Sequence, residues 1–214
     1  MKIRDLLLVI AALTVAACAP KKDAKVVLFN GKDFTGWTLF LPGDSVKVED
    51  VWSVRDGVVH CTGVPNGYMR TNETFSNYNL HLEWRWVENP TNSGVLLHCQ
   101  PPDQVWPNCI EAQLMAGNAG DLVLIGPGQI TVGDSTYVNP DRFLIIKKKH
   151  DSSEKVAGEW NIYDIEVRGS SIILYVNGLM QNGGSNTSLT SGFIGLQSEG
   201  SPIEFRNIYL IPTE

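Results

Sequence analysis

Beyond residue 25 the chain is a succession of short apolar-polar alternations with a period of two, cut by turn residues, and no long stretch keeps the period of a helix. The runs that read as strands are Val26 to Phe29, Trp52 to Val54, Val58 to Cys61, Leu80 to Val87, Gly94 to Cys99 and Ile110 to Leu114. Leu144 to Lys148, Trp160 to Val167, Ser171 to Val176, Gly192 to Gln197 and Ile203 to Leu210 complete the set. Arg168-Gly169-Ser170 closes a hairpin, and Asn30-Gly31, Asn66-Gly67 and Asn177-Gly178 supply further turns. Gly117 to Gly128 reads as a glycine-rich loop over one face, and Pro101 to Pro107 as an exposed loop carrying Trp106. The pattern predicts an all-β protein of two packed antiparallel sheets, a single sandwich domain over residues 26–214 with no linker or internal repeat. Trp37, Trp52, Trp84 and Trp160 are expected in its core.

Parity within these strands gathers the polar residues. In Leu80-His81-Leu82-Glu83-Trp84-Arg85-Trp86 the apolar set takes one side and His81, Glu83 and Arg85 the other. His98 shares the parity of Leu96, and Glu111 and Gln113 lie opposite Ile110, Ala112 and Leu114. If these strands are neighbours, Glu83, Arg85, His98, Glu111 and Gln113 line one concave polar basin. The bland alternative is the ordinary wet face of a sandwich. Asp164 and Glu166 alternate with Ile165 and Val167 beside Arg168, which reads as an outer solvated face.

The N-terminus changes the picture of compartment. Lys2 and Arg4 precede a short apolar run from Leu6 to Val15, and Val15-Ala16-Ala17-Cys18 closes it, a pattern that resembles a bacterial lipobox. The run is too short to span a bilayer. Residues 1–17 are therefore expected to be a cleaved signal, Cys18 a lipidated residue, and residues 18–25 a tether, placing the domain in the cell envelope at the outer membrane or facing the periplasm. Loss of Lys2, Arg4 and Asp5 takes the formal charge of −6 one unit further negative. An acidic domain without a basic stripe repels phosphate backbones, which excludes a nucleic-acid partner and leaves neutral sugars suitable. Cys61, Cys99 and Cys109 then permit one disulfide and one free thiol, or three buried thiols. Parity sends Cys99 and Cys109 to opposite faces if both continue regular adjacent strands, which argues against that bridge.

Other chemistries lack their markers. No His-Glu-x-x-His, Cys-x-x-Cys or calcium-loop spacing occurs, so His60, His81, His98 and His150 form no readable ligand set; no cofactor is evident, and a divalent metal assembled from distant strands stays open. No Gly-x-Ser-x-Gly elbow surrounds Ser93, and Gly126-Pro127-Gly128 lacks the Lys-Ser/Thr of a phosphate loop. The basin residues can donate, accept and shuttle protons to a sugar. Asn92 either orients a hydroxyl or caps the turn before Gly94.

Several segments, taken in order, carry a resemblance: Leu28-Phe29-Asn30-Gly31-Lys32-Asp33 with Gly36-Trp37, Asn66-Gly67-Tyr68-Met69-Arg70-Thr71, Leu82-Glu83-Trp84-Arg85 and Asn92-Ser93-Gly94-Val95. Ile110-Glu111-Ala112-Gln113, Gly158-Glu159-Trp160-Asn161, Gly195-Leu196-Gln197-Ser198-Glu199-Gly200 and Phe205-Arg206-Asn207-Ile208 continue it. In these the chain resembles the 3-keto-disaccharide hydrolase family from Val27 to Ile211. The resemblance implies a concanavalin-like jelly roll holding a sugar oxidised at carbon 3. A ketone there acidifies the hydrogen on carbon 2, so a base can remove it, the enolate expels the group on carbon 1, and water adds back. Glu111 is the expected base, His98 the acid or shuttle, Glu83 a further catalytic carboxylate, and Arg85 or Arg70 the charge near the enolate. Gln113, Asn92, Trp106 and Glu199 are expected to bind substrate; many relatives carry His where this chain has Ser198-Glu199. The alternatives are a direct glycosidase using Glu83 and Glu111, and a lectin-like module in which Trp106 stacks on a sugar without cleavage.

Overall fold

The computed structural model describes residues 24–214; the expected signal, the lipidation site Cys18 and most of the tether lie outside the described residues. The elements run β1 (Val26–Val27), β2 (Trp37–Phe40), a one-turn helix α1 (Val48–Val51), β3 (Trp52–Arg55), β4 (Val58–Cys61) and β5 (Gly67–Thr71). Next come β6 (Asn77–Trp86), β7 (Gly94–Cys99), β8 (Cys109–Gln113), β9 (Leu122–Ile125), β10 (Gly128–Val132) and β11 (Ser135–Asn139). β12 (Phe143–Ile146), β13 (Asn161–Arg168), β14 (Ser171–Val176), β15 (Leu179–Gly184), β16 (Phe193–Ser198) and β17 (Ile203–Pro212) complete the chain. One sheet has eight strands in the order β15-β14-β13-β6-β17-β4-β3, with β1 also paired to β17; the other has seven, in the order β12-β9-β8-β7-β16-β5-β2. Every pairing is antiparallel, β10 and β11 form a separate hairpin, and the whole is a jelly-roll sandwich.

The core follows from parity. Along β6 burial alternates without a break: Tyr78, Leu80, Leu82, Trp84 and Trp86 point inward, while Asn77, Asn79, His81, Glu83 and Arg85 point outward. Those inward rings meet Val95, Leu97, Ile110, Ala112, Leu122, Leu124 and Leu196 of the seven-stranded sheet. Each side chain alternates across its own strand, so two sheets of this pattern bury one face each against the other.

Strands β7, β8 and β9 differ, being buried at every position. Their inward face packs in the main core, and their outward residues Leu96, Cys99, Cys109, Val123 and Ile125 form a second apolar cluster with Tyr68, Phe40, Trp106 and Phe193. Pro101 to Pro107, expected as an exposed loop, lie within a strap of residues 100–108 that folds back and brings Trp106 onto that cluster. The expected glycine-rich loop likewise contains the buried strand β9, because Leu122-Val123-Leu124-Ile125 is wanted on both faces.

One backbone irregularity redirects the end of β7. His98 has φ of +53° in the left-handed region, and opposite it the pairing with β16 shifts register between Phe193 and Gly195. Leu97 and His98 both turn toward the core, and Cys99 then falls on the same outward face as Leu96. The parity expectation that Cys99 and Cys109 face apart is therefore corrected: both sit in the second cluster. Trp160 is corrected too, since it lies half-buried on the outer face of the eight-stranded sheet beneath Arg85 and Arg206, 4.7 and 4.0 Å from its ring centre. Trp37, Trp52 and Trp84 are buried as expected.

Trp84 is fully buried and packs 5.5 Å from the Tyr163 ring, where its deletion leaves a cavity that the two sheets cannot close. Trp84→Ala is expected to cost about 3–5 kcal/mol, read as a lowered urea midpoint at unchanged slope.

Candidate active site

The outward face of the seven-stranded sheet is built in rows. Pairing sets Arg70, Gly195, Leu96, Glu111, Val123 and Ile145 side by side across β5, β16, β7, β8, β9 and β12. The neighbouring row brings Tyr68 opposite Gln197 and Gly94 opposite Gln113. Over these rows opens a cleft of about 210 Å³ whose polar lining is Asn92, Glu111, Gln113 and Glu199 and whose apolar walls include Trp106 and Phe143. The two rings meet edge to face at 5.4 Å.

Glu111 is the unusual group. It is 4 % exposed, its Oε1 has no hydrogen-bond partner, and among the described residues no cation pairs with it. Burial, then the charge of Glu199, push its carboxyl up to about 8. The carboxylate leans over Gly94: a Cβ built there would stand 2.1 Å from Oε1, so the glycine makes room for the acid. Glu199, in the turn after β16, is also raised by burial, against a hydrogen bond donated by the Asn92 amide that favours its ionised form. Asn92 Oδ1 and Gln197 Oε1 are left buried without partners. Gln113 Oε1 accepts the backbone N–H groups of Leu114 and Met115, both at 2.9 Å.

Arg70 shares this sheet face, but its charge is already engaged. Its guanidinium clamps Asp103 of the strap through Nε at 2.6 Å and an Nη at 2.8 Å, and it lies 4.1 Å over the Phe193 ring. Tyr68 donates to the same carboxylate at 2.9 Å. Arg70 holds the Asp103 carboxyl below the usual range. The expected set Glu111, Gln113, Asn92, Trp106 and Glu199 is thus brought together, with Arg70 along the same row of strands and fixed to the strap.

Three expected members lie elsewhere. Glu83 and Arg85 sit on the outer face of the eight-stranded sheet, because β6 belongs to the sheet opposite β8. There Glu83 accepts from Asn207 at 2.6 Å and from Arg206 at 2.7 Å, and Arg85 pairs with Glu204, which also meets His60 at 2.8 Å. Burial alone would raise the Glu83 carboxyl, but these donors outweigh it and lower it. His98 is wholly buried in the turn of β7, edge-on to the core ring of Tyr78 at 6.3 Å. Burial holds it neutral, and Nδ1 donates to the Leu189 carbonyl at 3.1 Å. The expectation of one basin shared by Glu83, Arg85, His98 and Glu111 is corrected accordingly. Gln197, Tyr68 and Gly94, which enter the sequence reading only within strands or segments of the resemblance, and Asp103, which enters it only within the Pro101 to Pro107 loop, flank the cleft on the same side; for Gln197 the inward alternation of Ile194 and Leu196 was a further signal.

A larger groove of about 350 Å³ runs over the outer face of the eight-stranded sheet beside His81, Asp164, Tyr175 and Tyr209. Its His81 Nδ1 lies 2.6 Å from Asp164, and the latter is half exposed, so the pair is already satisfied and wet. The dry, unpaired Glu111 marks the smaller cleft as the better candidate. Among the described residues no cluster of three or more His, Cys, Asp or Glu is arranged to hold a metal, and no helix is long and apolar enough to cross a membrane.

The comparisons agree with this architecture. Residues 24–211 match the model of the 3-keto-alpha-glucoside-1,2-lyase-like domain. The chain belongs to that family. It is thereby a carbohydrate-active, hydrolase-like protein. Among solved structures it is similar to a provisionally assigned glycosyl hydrolase of Parabacteroides distasonis ATCC 8503, with 22 % identity, TM-score 0.64, and 87 % of this chain and 93 % of that one covered. A Bacillus licheniformis β-glucanase (12 % identity, TM-score 0.57, 92 % and 100 % covered) and the Bacillus subtilis carbohydrate-binding module CBM66 (8 %, 0.57, 81 % and 93 %) share the fold. No curated protein matches the sequence.

The raised carboxyl has a measurable signature. Glu111 normally ionises near 4.5 and here near 8, so between those values the folded chain keeps a proton that the unfolded chain has released. Stability is full below the lower value and falls as pH rises through the upper one. Glu111→Gln is expected to flatten that fall, gaining on the order of a few kcal/mol over the native chain at pH 9 relative to pH 4 in urea unfolding.

Proposed function

We propose that this protein cleaves 3-keto-glycosides by elimination across carbons 1 and 2. The observation that carries the reading is Glu111: a dry, unpaired carboxyl held protonated near neutrality, facing a second carboxylate in the cleft of a chain that belongs to the 3-keto-alpha-glucoside-1,2-lyase-like family. Two acids with environments that push their ionisation apart supply an acid and a base together.

The roles divide by environment. Glu111 keeps its proton at neutral pH and is the acid. Glu199, less buried and receiving the Asn92 hydrogen bond, ionises first and is the base. Glu199 takes the hydrogen from carbon 2, and its bonding electrons pass to the ketone oxygen as an enolate. Their return forms the double bond between carbons 1 and 2 and breaks the bond from carbon 1 to the glycosidic oxygen, which leaves with the proton of Glu111. Gln113, its oxygen fixed by two backbone N–H groups, has an amide nitrogen to donate to the enolate oxygen. Trp106 and Phe143 offer apolar surface to the ring and exclude water. Water adding to the unsaturated sugar completes a net hydrolysis. This assignment exchanges the expected base Glu111 for Glu199, for the reason that burial leaves Glu111 protonated.

Direct glycoside hydrolysis through Glu83 and Glu111 is excluded by their positions on different sheets. The exposed flank of Trp106 leaves a binding module as the competing reading. With a 3-keto-glucoside and its unoxidised parent, only the oxidised sugar is expected to release its leaving group. Deuterium at carbon 2 is expected to slow that release severalfold. Cleavage of both sugars, or release without the isotope effect, rejects elimination; binding without cleavage supports the module. Glu111→Gln and Glu199→Gln are each expected to lower kcat by about 10²- to 10⁴-fold while the urea transition stays cooperative.

A further inference from the structure

We propose that Cys99 and Cys109 are a disulfide-forming pair that fastens the two ends of the 100–108 strap beneath the cleft. Both residues are 1 % exposed and belong to the same apolar cluster, with Leu96, Val123 and Ile125 around them. They close adjacent antiparallel strands: Leu97 pairs with Ile110, and past the turn at His98 the Gln100 N–H donates to the Asn108 carbonyl at 2.9 Å. Two residues, His98 and Cys99, therefore stand opposite Cys109 alone, and the left-handed His98 sends its own ring inward and Cys99 outward. Burial and then the neighbouring Cys99 thiol push the Cys109 thiol up, as expected of two sulfurs side by side. Cross-strand neighbours have the Cα separations that a disulfide spans.

Among the described residues Cys61 lacks such a partner. It lies in the main core on β4, in the other sheet, where its sulfur accepts the Gly63 N–H at 3.4 Å. The pairing is therefore specific, and the three described cysteines divide into two that meet and one that does not.

The oxidant is a low-molecular-weight disulfide. One thiolate attacks it, releasing a thiol and leaving a mixed disulfide; the second thiolate displaces the remaining half. Two protein thiols become one disulfide, and the donor disulfide becomes two thiols, taking up both electrons and both protons. Both thiols are shut off from solvent, and burial pushes the Cys109 thiol up, so the exchange proceeds through opening of the strap, whose Pro101, Pro102 and Gln104 are exposed. The bond would close a ring from residue 99 to residue 109 that contains both Asp103, the clamp on Arg70, and Trp106, the wall of the cleft.

The test is thiol counting on the folded full chain after incubation with oxidised glutathione. The protein is unfolded, alkylated with and without prior reduction, digested and weighed. The expected result is alkylation of Cys61 in both arms, alkylation of Cys99 and Cys109 only after reduction, and a linked peptide joining them. A Cys61→Ser variant is expected to form the same link, and reduction is expected to lower Tm by several degrees in the native chain and not in Cys109→Ser. Equal alkylation of Cys99 and Cys109 in both arms, a glutathione adduct stalled on either, or linkage of either to Cys61 overturns the proposal.

Discussion

Burial of the central strands of the seven-stranded sheet on both faces is the constraint from which the rest follows. Strands β7, β8 and β9 press one side against the eight-stranded sheet and have the other roofed by Trp106 and its neighbours. Any polar group set into that second side loses water, and it must find a partner in the protein or shift its ionisation. Arg70 and Asp103 take the first course, each neutralising the other. Glu111 takes the second.

The opposite sheet shows what happens when the same residue types find partners. Glu83, Arg85, His60, Glu204, Arg206 and Asn207 satisfy one another along its outer face, with the guanidiniums laid over Trp160. Such a network is content, and within it the Asn207 and Arg206 donors hold the Glu83 carboxyl below its usual range. Chemistry requires a group that is not content, and Glu111 over Gly94 is held in that condition by a glycine with no side chain to interpose. Placement, more than residue type, separates the two sheets' acids.

Much of the architecture was legible because period-two patterning is visible wherever one face is wet. β6 reads correctly residue by residue from Leu80 to Trp86, though its first three residues, Asn77 to Asn79, were not part of the expected strand. The same rule missed β9, whose four apolar residues have no wet face to alternate with, and β5, where Gly67-Tyr68-Met69-Arg70-Thr71 is buried at all but Arg70. Parity also places side chains only relative to their own strand. It put Glu83 outward and Glu111 outward correctly, yet could not say that β6 and β8 belong to different sheets. His98 defeated it locally, since a left-handed residue other than glycine leaves no trace in composition and reverses every orientation after it. The meeting of Glu199 with Glu111 was out of reach for a related reason: 88 positions separate them, and only the pairing of β16 with β7 brings the turn after β16 over β8.

The short β1 gives the molecule a front and a back. It pairs with β17, and Lys25 just before it rests 3.5 Å over the Tyr209 ring, on the same outer side as His81. The polypeptide thus enters the fold from behind the eight-stranded sheet, while Glu111 and Glu199 open on the far side of the sandwich. The strand that begins the described fold therefore leaves the candidate cleft uncovered.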